Sequence, residues 1–208
     1  MKRASQVQSG FTLIELLVVM SIIMVLAAMT LAGVTYAQNK ARESRATAEI
    51  KAMEVALESY KADNGDYPRS KPVGGVLGTG NDSNLLNAQP SGPATPDLYK
   101  NASLALYAAL SGDIDLNGFG GDPDPTTSVK NKIYFEFKSN MLLPKQLNGG
   151  TVTALVDPWG NTYGYSTINS VDNTKGYNPT FDLWSTGNPD ALQGADAATA
   201  QQKWIKNW

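Results

Sequence analysis

SGFTLIELLVVMSIIMVLAAMTLAGV, residues 9–34, decides how the rest of the chain is read. From Phe11 onward the stretch is apolar, and its one charged side chain is Glu15. No charge follows between Leu16 and Val34. Wound as an α-helix at about 1.5 Å per residue, that uncharged run extends roughly 29 Å, close to the hydrocarbon thickness of a bilayer. A short polar leader, MKRASQVQSG, precedes it and carries Lys2 and Arg3. Two residues need an explanation: a carboxylate just inside an apolar run, and Gly10 directly before it.

An ordinary secretory signal peptide would have a basic start, an apolar core and a small-residue cut, for which Thr30-Leu31-Ala32 could serve. The run is longer than a usual signal core, and the helical pattern does not stop at the supposed cut. It continues through AQNKARESRATAEIKAMEVALESYKADNGDYP, residues 37–68. There Ile50, Met53, Leu57 and Tyr60 recur at helical spacing and share one face. Lys51 with Glu54, and Glu58 with Lys61, are spaced to pair on the surface. Asn64-Gly65 is a helix stop, reinforced by Pro68. The pattern predicts one helix from Thr12 to Asp63, roughly 75 Å long. Its first half is apolar all round and its second half amphipathic.

Composition narrows the chemistry. The chain has 208 residues, with 17 basic against 19 acidic side chains, so no basic excess points to nucleic acid. It contains no Cys and no His. Disulfides, thiolate chemistry, and the commonest general base and transition-metal ligand are therefore excluded. An enzyme would have to work with carboxylates alone, and Asp113, Asp115 and Asp157 form no evident acid–base pair in the sequence. The acid at Glu15 costs about 2.5–3.5 kcal/mol in a membrane helix, less near its end. Thr12-x-x-Glu15 reads as a capping box, which accounts for Glu15 locally but not for Gly10 or the basic leader.

SGFTLIELLVVMSIIMVLA resembles the N-terminal signal of type IV pilins and type II secretion pseudopilins. The resemblance implies that a prepilin peptidase cuts between Gly10 and Phe11 and that the new amine of Phe11 is N-methylated. It also implies that Glu15 meets the amine of a neighbouring subunit during assembly, so that Phe11 and Glu15 form the assembly site. The physics agrees: an ammonium and a carboxylate, each costly alone in an apolar setting, offset one another and fix an axial register. Orientation rests on the resemblance, because Lys40, Arg42 and Arg45 follow the run and leave the positive-inside count ambiguous.

Beyond the helix, residues 69–96 are rich in Gly, Ser, Asn and Pro and read as a long surface loop. Asp97 is placed to cap a helix from Leu98 to Ser111, with Leu104, Tyr107 and Leu110 inward. KIYFEF alternates and predicts a strand with Ile133, Phe135 and Phe137 on one face. VTALV and TYGYST flank Asp157-Pro158-Trp159-Gly160-Asn161 and predict a hairpin. A last strand is expected from Thr180 to Ser185. The predicted class is α+β: a long N-terminal helix with a small antiparallel sheet packed on its C-terminal half. ALESYKADNGDYP, DPWGNTYGY and FDLWSTG are similar to the matching stretches of the type II secretion major pseudopilin. The helix, hairpin and final strand are covered by this similarity, whereas Arg69 to Thr151 is not. Expected parts are a leader, 1–10; a transmembrane assembly helix, 11–34; and a periplasmic pilin-like domain, 35–208.

The resemblance also implies structural Ca²⁺ in the loop after the last strand. Asp190 and Asp196 are its candidate ligands there, although Pro189 stands where an aspartate is expected. A second candidate comes from spacing. Asp113, Asp115, Asn117 and Asp124 follow an EF-hand-type pattern around Gly118, with Asp in place of the final Glu. Asn81 and Asn101 begin glycosylation sequons, which short chains contain by chance. The expected role is a non-enzymatic filament subunit of a type II secretion system, single-pass in the bacterial inner membrane. Its partners would be copies of itself, minor pseudopilins, the prepilin peptidase, an inner-membrane assembly platform and lipid, with no nucleic acid. The alternative is a type IV pilin or minor pilin of a surface filament; the missing Cys and the Asp-Pro-Trp-Gly-Asn hairpin favour the first.

Overall fold

The computed structural model describes residues 11–69, 99–123, 130–145, 151–170, 172–192 and 197–208. The chain forms two compact units, one reaching to Ala41 and one from Arg42 to Trp208. A single helix of 52 residues, α1 (Leu13–Asn64), supplies residues to both. This is the predicted long helix, displaced by one residue at each end.

In the first unit, the described side chains of α1 up to Val34 are exposed. Its hydroxyls are satisfied within the helix: Ser21 donates to the Val18 carbonyl and Thr30 to that of Ala27. Such back-bonding leaves no hydroxyl seeking a partner in an apolar medium.

In the second unit, Ala46, Ile50, Met53, Ala56 and Leu57 of α1 are buried, with Tyr60 packed at the core's edge. That is the face predicted from helical spacing. Gly65 ends the helix in the left-handed region, φ 83°, donating its N–H to the Lys61 carbonyl at 2.7 Å. A residue with a Cβ would be strained in that cap. Glu58 and Lys61 meet through Tyr67: its hydroxyl donates to Glu58 at 2.8 Å, and the Lys61 ammonium lies 4.4 Å from its ring centre.

Helix α2 (Lys100–Ser111) buries Leu104, Tyr107 and Leu110 as expected, and most of its other side chains too. It starts two residues later than predicted. Tyr99 takes the N-cap position without a side-chain capping bond, and Asp97 lies outside the described residues. Packing supplies what the cap does not, since Tyr99 is itself buried against Trp184.

The KIYFEF segment is not a strand. The N–H groups of Tyr134 and Phe135 both donate to the Leu110 carbonyl, at 2.7 and 3.0 Å. The segment is thus pinned to the end of α2 instead of a neighbouring strand. Tyr134, Phe135 and Phe137 pack on the core while Ile133 is exposed, so the alternation does not sort faces.

The sheet is in two parts. β1 (Leu142–Leu143) pairs antiparallel with β2 (Ala154–Leu155). β3 (Gly164–Ser166), β4 (Asp182–Ser185) and, after the short helix α3 (Ala197–Gln202), β5 (Ile205–Lys206) form an antiparallel sheet in the order β3-β4-β5. The Asp157–Asn161 turn exists, but only one bridge, Val156 to Thr162, closes the expected hairpin. Beyond it the arms part, β2 to β1 and β3 to β4, so one long ladder does not form. β4 lies inside the predicted last strand, and β5 was not anticipated.

Candidate functional site

Three regions carry the candidate site residues singled out in the sequence: the start of α1, the loop after α2 and the loop after β4. The first is the start of α1. Thr12 and Glu15 form a capping box: Glu15 Oε2 accepts the Thr12 N–H at 2.8 Å and the Thr12 hydroxyl at 2.7 Å, and the Glu15 N–H donates back to that hydroxyl at 3.3 Å. Two donors of the helix start are thereby satisfied by side chains of the same turn. Phe11, 88% exposed, stands beside this turn. With Ile14, Val18 and Val19 it lines a shallow apolar recess whose rim includes Glu15. The arrangement presents one carboxylate at the edge of an otherwise apolar surface. Gly10 lies outside the described residues.

The second is the loop after α2. Gly112 ends the helix with φ 67°, and the Gly121 and Asp122 N–H groups return to the Ser111 and Gly112 carbonyls at 3.0 and 2.9 Å. This closure brings Asp122 back to the loop's beginning. Carboxylate oxygens of Asp113, Asp115 and Asp122 lie within 4.8 Å of one another, a donor set chemically suited to a hard cation. All three are already engaged as loop braces, Asp115 by accepting the Asn117 N–H and side-chain amide, each at 3.0 Å. Asp113 accepts the Tyr107 hydroxyl at 2.6 Å and the Gly118 N–H at 2.7 Å; Asp122 accepts the Ile114 N–H at 2.9 Å. Burial pushes the Asp113 carboxyl above the usual carboxylate range, opposed by those donors.

Of the predicted EF-hand-type set, Asp113 and Asp115 come together. Asn117 turns its Oδ1 to the Phe119 N–H at 2.7 Å, and Asp124 lies outside the described residues. The third carboxylate, Asp122, was missed. Its signal was the glycine-rich return, Gly118 to Gly121, which shortens the loop relative to the assumed twelve-residue register. At the loop after β4, Asp190 sits in a single 3₁₀ turn (Pro189–Leu192), and Asp196 lies outside the described residues.

A further group was not seen in the sequence at all. The Tyr163 hydroxyl, on the strand approach, donates to Glu49 Oε2 at 2.6 Å, while Arg45 Nε pairs with Glu49 Oε1 at 2.6 Å. Burial and the Glu49 charge push the Tyr163 phenol far above its ordinary value, which keeps it a donor. The bond ties α1 to the Asp157 turn. Within that turn, Asp157 accepts the Ser185 hydroxyl at 2.5 Å and the N–H groups of Trp159 and Asn161, each at 2.9 Å. Nothing in residue spacing joins positions so far apart in the chain.

Comparison with known proteins adds two family matches. Residues 6–31 match the prokaryotic N-terminal methylation motif, and residues 33–136 match type II secretion system (T2SS), protein G. The second match reaches residue 136 and so covers most, not all, of the stretch 69–151 that the motif resemblance left uncovered. A type II secretion system core protein G of Pseudomonas aeruginosa is 34% identical over 125 residues, covering 55% of this chain and 84% of that protein. The protein of the same description from Dickeya chrysanthemi is 39% identical over 134 residues, 58% of this chain and 82% of that one. That of Escherichia coli (strain K12) is 44% identical over 66 residues, and the matched segment spans 46% of its length. No solved structure matches significantly.

Proposed function

The chain belongs to the type II secretion system protein G family, and from that premise we propose that it is a structural filament subunit, a major pseudopilin. A prepilin peptidase cuts after Gly10, the Phe11 amine is N-methylated, and the mature subunits polymerise through the first half of α1. The subunit performs no chemistry; it assembles with copies of itself, minor pseudopilins and an inner-membrane platform. The C-terminal unit stands in the periplasm before and after assembly.

One observation carries this reading. α1 runs unbroken from a fully exposed apolar half into the buried face at Ile50, Met53 and Leu57. An exposed apolar surface of that length must be covered by lipid or by other helices. A removable signal peptide would not share one helix with the domain's core. Glu15 adds the assembly chemistry: near the end of the apolar half, a carboxylate favours a neighbour that brings an ammonium.

The test is mass spectrometry of the N-terminal peptide of the protein purified from membranes of its own host. The expected peptide begins with N-methyl-Phe11. A chain beginning near Gly33 would remove the assembly helix and refute the reading. Glu15→Leu should be cleaved normally, remain in the membrane and fail to enter filaments.

A further inference from the structure

Two cations follow directly on the apolar half of α1. The helix carries no charge from Leu16 to Asn39, then Lys40 and Arg42, and its first acid after Glu15 is Glu43. On the translocated side of a membrane, Lys and Arg are the residues that topology disfavours. Two of them at that place call for a counter-charge. Both side chains are exposed.

Tyr36 marks where the membrane boundary falls. It is 74% exposed and comes just before the polar stretch Gln38-Asn39-Lys40. Small hydroxyls nearby bond back to their own helix; that of Thr35 donates to the Leu31 carbonyl at 3.2 Å. A phenol at the far end of a ring is better placed where the ring meets acyl chains and the hydroxyl meets water or headgroups. From Glu15 to Tyr36 the helix runs about 32 Å, against a hydrocarbon core of about 30 Å. With Tyr36 at one boundary, the Glu15 carboxylate therefore stands at the other, and neither polar group enters the acyl layer. Lys40 lies about 6 Å beyond Tyr36 along the axis and Arg42 about 9 Å. The headgroup layer is roughly 5–7 Å thick on each side, and long cationic side chains reach back toward it. At 3.6 residues per turn the two cations leave the helix on nearly opposite sides, so each meets a different lipid.

We propose that Lys40 and Arg42 bind the phosphates of anionic phospholipids, and that this contact, with Tyr36 at the boundary, sets the depth of the unassembled subunit and keeps Glu15 at the opposite face of the bilayer. The chemistry is charge pairing: Arg offers a phosphate two parallel N–H donors, and Lys a point charge. This contact presupposes that the first half of α1 spans a membrane, as the filament reading requires.

Lipid-selective fluorescence quenching tests it. The chain has no Cys, so one introduced Cys carries one label. The full-length protein is reconstituted in phosphatidylcholine vesicles containing a minority of phosphatidylglycerol, with a bimane on Ala37→Cys or on Ile23→Cys. In parallel samples a nitroxide high in the acyl chain is carried by equal amounts of either phosphatidylglycerol or phosphatidylcholine. At Ala37→Cys, phosphatidylglycerol should quench as though at least about threefold enriched beside the helix. The preference should vanish in about 1 M salt, and at low salt in Lys40→Gln with Arg42→Gln. Lys40→Arg with Arg42→Lys should keep it. No preference in the unaltered chain, an unchanged preference in the Gln pair, or its loss in the charge-preserving pair would each overturn the lipid contact. At Ile23→Cys, a phosphatidylcholine nitroxide deep in the acyl chain should quench more than one placed high. If it does not, the helix does not cross the bilayer, and the spanning reading falls together with this one. If it does and Ala37→Cys shows no preference, the lipid contact alone falls.

Discussion

Gly164→Ala should be among the most damaging single-methyl changes this chain can suffer. Gly164 opposes Trp184 across the β3–β4 ladder, and the indole lies flat over it. A Cβ at position 164 would stand 2.0 Å from Trp184 Cε2 and 2.2 Å from Cζ2. To restore an ordinary contact of about 3.5 Å the ring must retreat roughly 1.5 Å. It has nowhere to go. Trp184 is 0% exposed, and Tyr99, Trp204 and Trp208 touch it with ring centres 5.0, 6.1 and 6.0 Å away. Overpacking a core costs about 1–3 kcal/mol where some relaxation is possible. Here relaxation is blocked by rings, so a loss of about 3 kcal/mol is expected. That is a large part of a typical folding stability, and for a domain of this size it corresponds to roughly 6–12 °C in Tm. The backbone gives no other reason for a penalty, since Gly164 is not among the positive-φ glycines. The assay is urea unfolding of the full chain in micelles, followed by tryptophan fluorescence. Trp184→Leu should pay its own cavity cost but make Gly164→Ala far cheaper in that background, a coupling that a double-mutant cycle reads directly. A loss below about 1 kcal/mol for Gly164→Ala, or strict additivity with Trp184→Leu, would refute the steric account.

Three other outcomes follow from the same geometry. Tyr163→Phe leaves a half-buried Glu49 oxygen without its donor and should cost about 1–3 kcal/mol by denaturant titration, whereas Glu58→Gln, whose partner Tyr67 can still donate to an amide oxygen, should stay within about 1 kcal/mol. Asp157 has its carboxyl pushed up by burial, against the Ser185 hydroxyl and the turn N–H groups. A raised folded-state value means its contribution is complete below the unfolded value of about 4 and is lost as pH rises through the folded one. Asp157→Asn should therefore flatten the stability–pH curve above about pH 4, measured as unfolding midpoints at successive pH values. The exposed Asp172 carboxyl is held down to about 2 by the Thr174 hydroxyl and the Lys175 ammonium. Its contribution is present above about 4 and fades as pH falls through about 2, so Asp172→Asn should remove a small acid-side step seen in the same titration.

What was legible in the sequence was what periodicity and turn chemistry encode locally. The bounds of α1 follow from an uncharged run joined to an amphipathic one and closed by Asn64-Gly65, and its buried face was read residue by residue. The Asp157 turn was also legible, because a side chain that caps its own turn needs no distant partner. KIYFEF misled for a physical reason. Alternating aromatics suit a strand edge, yet one carbonyl at the end of α2 captured two consecutive N–H groups and made the segment a strap. β5 was invisible because two residues carry no period, and its reason to exist is Trp184, contributed by another strand. Asp122 was hidden by counting: the EF-hand spacing assumes a fixed register, and four glycines between 112 and 121 let the chain return early. The Glu49–Tyr163 bond, like Asp63 with Lys132 at 2.6 Å, joins residues that only the fold makes neighbours.

The capping box and the assembly role of Glu15 look like rival explanations of one residue, but the geometry separates them by atom. Both Thr12 donors fall on Oε2, and among the described residues no donor reaches Oε1. Before cleavage, the box gives a carboxylate near the end of an apolar helix two hydrogen bonds, which reduces the cost of holding it there. After cleavage, a neighbour's ammonium could approach Oε1 without displacing Thr12. In the proposed filament the carboxylate would then carry three donors, one of them charged, which is the condition under which a buried ion pair repays its desolvation. The box also fixes the side-chain rotamer on the rim of the Phe11–Val19 recess. An incoming amine would meet an oriented oxygen and would not have to order it first. A carboxylate left in lipid with only the box is tolerable, and one that also gains an amine is better. Assembly needs only that difference, and the same turn of helix supplies both states.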